Sequence, residues 1–364
     1  ATIGAGKITA IDIDGAKAIP GVIDVITDYK TFLRNAQQGG ETGAPAQGVE
    51  EIAYYGEIVA IVVAESYEAA RDAAYRIDIT YEARDGRYDF DAHKGEAEKP
   101  PEGTIPPYSK QGDVDQAMAD AAYTVDALFT TPSQNSAAME PHASIAVWDE
   151  DGALTLYGAY QMPSSDKQQL AKSLGLKADK VRIIARYVGG GFGSKLGIAP
   201  ESVAAAVAAK KLGRPVKAVM ARQQVFDATV RRSNTEQRLR LAADADGMLT
   251  AIGHETLCSN LPDEGFFEPT GIGTHFMYGG ENRIITHDIV RLDTTLSGSM
   301  RAPGEAVGLL ALEGAMDELA EKIGIDPIDL RTRNDPQQDP EKNVPFSSRQ
   351  LTRCLEEGAA SFGW

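Results

Sequence analysis

The 364 residues carry 36 basic and 53 acidic side chains, and the resulting net charge of −17 sets the chain against polyanions such as nucleic acid. The length allows two or three cored domains, and the longest apolar run, Ile58 to Ala64, is strand length, well short of the roughly 20 residues a membrane helix needs. Two cysteines far apart (Cys258, Cys354) and five histidines without HxH or HExxH spacing assemble no zinc or iron–sulfur centre, so any redox centre is a bound cofactor or sits on a partner.

In chain order, strand patterns at Lys7 to Ile13, Val22 to Thr27 and within Ile58 to Ala64 alternate with a helix from Tyr67 to Tyr75 and a further strand from Ile77 to Tyr81. Ser66 stands where its hydroxyl caps that helix. This is a small α+β domain spanning residues 1–86, with a surface loop at Gly39 to Gly48. Residues 87–111, rich in charge and proline, are expected to be a linker. A larger α+β domain follows over 112–364. Its strands are expected at Ala143 to Trp148, Leu154 to Ala159, Val181 to Tyr187, Val216 to Ala221 and Gln237 to Ala242. Its helices are expected at Asp166 to Leu174, Pro200 to Leu212 and Leu310 to Ile323. Gly175, Gly213 and Gly324 stand where a left-handed residue stops each helix, and Asp326 with Pro327 opens another.

Chemistry is signalled most strongly at Val181 to Lys195, where a β-branched run ends in Gly189-Gly190-Gly191-Phe192-Gly193. Such a loop offers consecutive unhindered amides to an anion or oxo group, or simply permits a tight turn. It is not a dinucleotide fingerprint, because G-x-G-x-x-G counted from Gly189 ends on Ser194 and from Gly191 on Leu196. Nor is it a phosphate loop, since Leu196 stands where the Ser or Thr after GK would be.

The GGGFGSK segment resembles the GGGFG[GS]K loop of the xanthine oxidase family of molybdenum hydroxylases. Two further segments are similar in the same order: QNSAAMEPH at Gln134 to His142 and MRAPGE at Met300 to Glu305. Taken singly, a glutamine before a strand or an RAPG turn is an ordinary packing feature. Their joint occurrence carries the resemblance, which runs end to end and is strongest to large subunits of periplasmic aldehyde oxidoreductases.

The resemblance implies an aldehyde oxidase/xanthine dehydrogenase α/β hammerhead domain followed by the first molybdopterin-binding domain, with molybdopterin cytosine dinucleotide as cofactor. It implies that the amides of Phe192 and Gly193, with Gly191 beside them, and the Gln134 side chain meet the apical oxygen ligand of molybdenum. Phe192 also walls the substrate pocket. Arg301, with Ala302, is implied at the pterin dithiolene, and Gln161 is a weaker candidate for the metal's surroundings. No residue of this chain is implied as a direct metal ligand. Leu196 occupies the position where purine-oxidising members carry a glutamate, which favours an aldehyde over a purine.

The family's catalytic glutamate belongs to a C-terminal GxGE motif, and no GxGE occurs here, so no catalytic residue is expected in this chain. The sequence is expected to be the N-terminal half of such a subunit, silent without the complementary C-terminal molybdenum-binding half. Partner subunits are implied to carry iron–sulfur clusters and FAD. Localisation stays open between the periplasm, reached through a partner's export signal, and the cytoplasm. Two other readings are a non-catalytic scaffold or assembly fragment of the same fold, and a nucleotide-binding oxidoreductase.

Overall fold

A computed structural model describes residues 1–28, 37–38, 42–43, 50–103, 105–262 and 264–364. The Gly39 to Gly48 stretch lies outside these, apart from Thr42–Gly43, which pairs antiparallel with Gln37–Gln38.

The N-terminal unit follows the expected alternation. Gly6–Asp12 is flanked by Glu51–Ile52 and Asp78–Ala83 in a three-stranded antiparallel sheet. Val22–Ile26 pairs with Ile61–Ala64, so the apolar run Ile58 to Ala64 is strand only in its second half. Helix Tyr67–Ala74 starts at Ser66, whose Oγ accepts from the Ala69 amide and satisfies one of the unpaired donors of the first turn. The cores here are small: Ala16, Val25 and Ala73 form one, and Ile8, Ile52 and Val59 another. Ile26, Tyr54 and Val63 instead join Leu154, Leu156, Leu170 and Val203 of the following unit in one continuous cluster.

Residues 87–111, expected as an open linker, carry a helical turn at Phe90–His93, a 3-10 turn and the strand Tyr108–Gln111. The prolines do not prevent this, because the segment is tied laterally: Glu98 bridges Ile289, and Tyr108–Gln111 pairs with the 282–291 strand.

The larger unit has two sheets. A mixed four-stranded sheet runs in the order 181–184, 154–158, 143–148, 216–219, with only the first pair parallel. Helices Pro163–Leu174 and Pro200–Leu212 cover it, and Pro200 through Ala209 are all buried, so the alanine-rich helix sits close to the strands. A five-stranded sheet runs 108–111, 282–291, 249–260, 235–243, 123–131, with helix Glu305–Ile323 packed on it through Ala311, Leu312, Ala315 and Met316. Between the sheets, Gln134–Asn135 pairs with Arg231–Arg232. The strand starting at Val181 ends at Ile184 rather than Tyr187, because its neighbour among the described residues, the 154–158 strand, offers no partner past Tyr157. That release lets the chain swing into the glycine loop.

Candidate cofactor-binding site

The glycine loop rests on a buried cation. Lys195 is 1% exposed, and its Nζ donates to the Glu140 carboxylate at 2.7 Å and to the Glu140 carbonyl at 3.1 Å. The same carboxylate accepts the Gly189 amide at 2.8 Å, and Glu140 N returns a bond to the Gly189 carbonyl. Desolvation opposes the Glu140 charge, but the bonds from Lys195 and Gly189 outweigh it and hold the carboxyl below its usual range. Ser136 Oγ donates to Ser194 Oγ, Ser194 Oγ donates to the Gly191 carbonyl, and His142 Nε2 lies 2.9 Å from the Ser194 carbonyl. The QNSAAMEPH segment therefore reaches the glycine loop through Ser136, Glu140 and His142.

Gln161 closes the other side. Its Oε1 accepts from the Gly193 amide at 3.0 Å and the Lys195 amide at 3.3 Å. Two converging N–H donors require the side-chain oxygen there, so Nε2 is turned outward, where it meets no acceptor among the described residues. The approach is close: a Cβ on Gly191 would stand 2.3 Å from Gln161 Oε1, and one on Gly193 would stand 2.1 Å from the Ser299 carbonyl oxygen. At Gly193 only glycine fits, since the neighbour is backbone and φ is positive, whereas a larger residue at 191 would displace the Gln161 side chain. The Gly193 amide is thus committed within the protein. Those of Gly190, Gly191 and Phe192 donate to no acceptor among the described residues.

The third motif meets the loop directly, since Arg301 N donates to the Phe192 carbonyl at 2.8 Å. The carbonyls of Met300, Arg301 and Ala302 turn inward to the buried Arg232 guanidinium, at 3.0, 2.5 and 3.4 Å. Arg232 also pairs with Glu268 at 2.6 Å, and Glu268 Oε1 accepts the Gly304 amide at 2.6 Å. With its carbonyls held from below, the RAPG turn presents the Arg301 guanidinium to the exterior, and no carboxylate pairs with it among the described residues. Sequence reasoning passed over Arg232, Glu268, Glu140 and Lys195. Arg232, Glu268 and Lys195 are buried charges, each of which demands a partner, whereas Glu140 is partly exposed and left no such signal.

Backbone strain marks the same places. Among the described residues, non-glycine residues with positive φ are Ala137 (45°), Phe192 (53°), Ala302 (53°) and Asn343 (55°). The first three fall one in each of the three motifs. A left-handed conformation costs an L-residue roughly 1–2 kcal/mol and persists where the surroundings enforce it, commonly at ligand sites.

Of the residues singled out from sequence, Gly191, Phe192, Gly193, Gln161, Arg301 and Ala302 converge. Gln134 stands apart on its two-residue ladder opposite Arg232, its side chain exposed and without a bond to the glycine loop. A surface hollow of about 670 Å³ is lined by Asp120, Asp244 and Glu281 among others and shares no residue with this constellation. Its acidity disfavours an anionic cofactor.

Residues 97–335 match the model of the molybdopterin cofactor-binding domain. The chain belongs to that family. Residues 1–85 match the aldehyde oxidase and xanthine dehydrogenase a/b hammerhead domain, which gives the α+β pair of domains expected from the motifs. Among curated relatives of the family, the chain is 43% identical over 363 residues to the aldehyde oxidoreductase molybdenum-binding subunit PaoC of Escherichia coli K12, covering 100% of this chain and 49% of that protein. It is 30% identical over 355 residues to an aldehyde oxidoreductase of Megalodesulfovibrio gigas, covering 92% of this chain and 39% of the relative. The chain thus spans about half the length of the curated relatives it matches. Among solved structures, the aldehyde oxidoreductase from Desulfovibrio gigas superposes with a TM-score of 0.87 at 27% identity, over 100% of this chain and 42% of that one. These members of the family are oxidoreductases.

The residues present fit the family's cofactor. The open side of the site offers free amides at 190–192, the Gln161 amide nitrogen and the Arg301 guanidinium, a donor set matched to oxygen, thiolate and phosphate groups.

Proposed function

We propose that this chain holds molybdopterin, in its cytosine dinucleotide form, within an oxidoreductase that converts an aldehyde and water to a carboxylic acid, releasing two electrons and two protons. When bound, the cofactor supplies the two-electron redox chemistry. The chain's own task is preorganisation: the Phe192 and Gly191 amides and Gln161 Nε2 would hold the cofactor by donating to its oxygen groups, and the loop that carries them is fixed by bonds within the protein. Gln161 takes the leading place among the glutamines, because its oxygen is pinned by two amides while Gln134 has no such anchor. Arg301 would offset the cofactor's sulfur charge with a fixed cation, and Phe192, 43% exposed, would wall the substrate pocket. Leu196 leaves the neighbouring position uncharged, which suits a neutral aldehyde.

The observation that carries this reading is the Arg301 N to Phe192 O bond, which brings two separate motifs, both strained at the contact, to one place. The base, the remaining cofactor contacts, and the iron–sulfur and flavin groups that take the electrons belong to the rest of the subunit and to partner subunits. Alone, the chain is catalytically silent. Coexpression with the remainder of the subunit and its partners, followed by molybdenum analysis and aldehyde-dependent dye reduction, tests the reading. Stoichiometric metal and aldehyde-dependent turnover support it. Absence of both rejects it, and saturable binding of NAD or ATP abolished by Gly191→Val would replace it with a nucleotide-binding role.

A further inference from the structure

The Arg232–Glu268 pair is a poor stabiliser by its own contacts. Both side chains are within 3% of complete burial, yet Arg232 Nε and Glu268 Oε2 find no hydrogen-bond partner among the described residues. A buried pair that leaves two atoms unsatisfied recovers little of its desolvation cost, and apolar residues of similar size at such sites are commonly neutral or stabilising. Its geometry instead concentrates on the cofactor motifs. The Arg232 backbone is the ladder partner of Gln134, its Nη atoms hold the carbonyls of residues 300–302, and its counter-ion Glu268 holds the Gly304 amide at the start of helix Glu305–Ile323. The next residue, Pro269, closes on that amide's own residue: a Cβ on Gly304 would meet the Pro269 carbonyl at 2.2 Å.

We propose that Arg232, neutralised by Glu268, is a positioning residue that locks the RAPG turn with its carbonyls inward, so that Arg301 and the left-handed Ala302 face the cofactor. The planar fork is what the task requires. Three carbonyls arranged around one side chain call for several N–H groups fixed in one plane, which a lysine ammonium on a flexible stem does not provide. Arg232 touches neither cofactor nor substrate; it acts through the turn. This inference rests on the molybdopterin reading above.

The test uses the assembled holoenzyme and two variants. Arg232→Lys keeps the charge opposite Glu268 but gives up the fork. The double substitution Arg232→Met with Glu268→Met removes both charges together, so that neither is left buried alone, and is expected to fold with a melting midpoint lowered by the carbonyls and Gly304 amide that lose their partners. Molybdenum per polypeptide, by elemental analysis, and the line shape of the Mo(V) electron paramagnetic resonance signal are read alongside the thermal melts. The proposal expects molybdenum content to fall on the order of tenfold or more in both variants. The residual Mo(V) signal broadens into several species, and the metal is lost from variants that are still fully folded at the assay temperature. Metal content and a Mo(V) signal equal to the wild type in a folded variant would overturn the positioning role and leave the cofactor reading intact. A metal-free wild-type holoenzyme would overturn the cofactor reading, and this inference with it. A double variant that loses metal only in proportion to a lowered melting midpoint would reduce the pair to a structural role.

Discussion

Gly193 and Gly175 share a positive φ, at 109° and 66°, but differ in surroundings: a Cβ at Gly193 would collide with the Ser299 carbonyl, whereas nothing lies within 4 Å at Gly175. Gly175→Ala should therefore cost about 1 kcal/mol, the left-handed penalty alone. Gly193→Ala should cost clearly more, because the loop must separate from residues 299–300, and chemical denaturation of both variants measures the difference. Strain makes the opposite prediction at Ala302. With φ at 53°, Ala302→Gly relieves roughly 1 kcal/mol, enough to offset the chain entropy glycine adds. Ala315→Gly, in the buried interior of a helix, should lose at least 1 kcal/mol. Equal losses at the two positions would remove the strain argument. At this scale the glycine loop and RAPG turn were legible, because each carries residue types that few other local structures demand. The Gln161 contact and the charges beneath the loops were not, since a partner 30 to 70 residues away leaves no mark on local pattern.

Helix Pro163–Leu174 carries a buried acid without a cationic partner among the described residues. Asp166 is completely buried, and desolvation, only partly offset by the Met162 amide, pushes its pKa up to about 7. The native state therefore keeps a proton that the unfolded chain releases above its ordinary pKa near 4. This raised pKa contributes stability that is full below about pH 4 and lost as pH rises toward 7. Asp166→Asn should gain on the wild type between pH 5 and pH 8, by roughly 2 to 3 kcal/mol, in paired thermal or urea melts. A pH-independent difference would contradict the assignment. Buried His254 and His287, pushed down by desolvation to about 3 and about 4, have the opposite slope: they stay neutral in the fold, and their contribution is lost as pH falls below 6.5. Only the variant's difference from the wild type therefore isolates Asp166. Helix ends were well marked, for Gly175, Gly213 and Gly324 all stop helices in left-handed geometry as their positions suggest. Strands Leu249–Asn260 and Asn282–Arg291 were not anticipated. Both faces of the former are covered, and His254, Thr256 and Ser259 are buried through hydrogen bonds, so the alternation that announces a strand is erased.

Across the whole molecule, the hammerhead depends on its neighbour. Ile26, Tyr54 and Val63 complete their burial only within the cluster built by Leu154, Leu156 and Val203. Buried Asp293 accepts from the Arg84 guanidinium and the Arg87 amide, and Lys211 pairs with Asp24. Residues 1–85 expressed alone should accordingly lack dispersed amide resonances in solution, and a well-dispersed spectrum would show the unit to be autonomous. The same interlocking sets the candidate cofactor site, whose three motifs lie at the Gln134–Asn135 ladder, past the end of the 181–184 strand and at the start of helix Glu305–Ile323. The most direct test of the account is molybdenum per polypeptide in the assembled protein, wild type against Gly191→Val. The substitution drives a side chain into Gln161 and displaces the free amides, so stoichiometric molybdenum in the wild type should fall on the order of tenfold or more in the variant. A wild type without molybdenum, or a variant that retains it in full, would contradict the claim that this loop holds the cofactor.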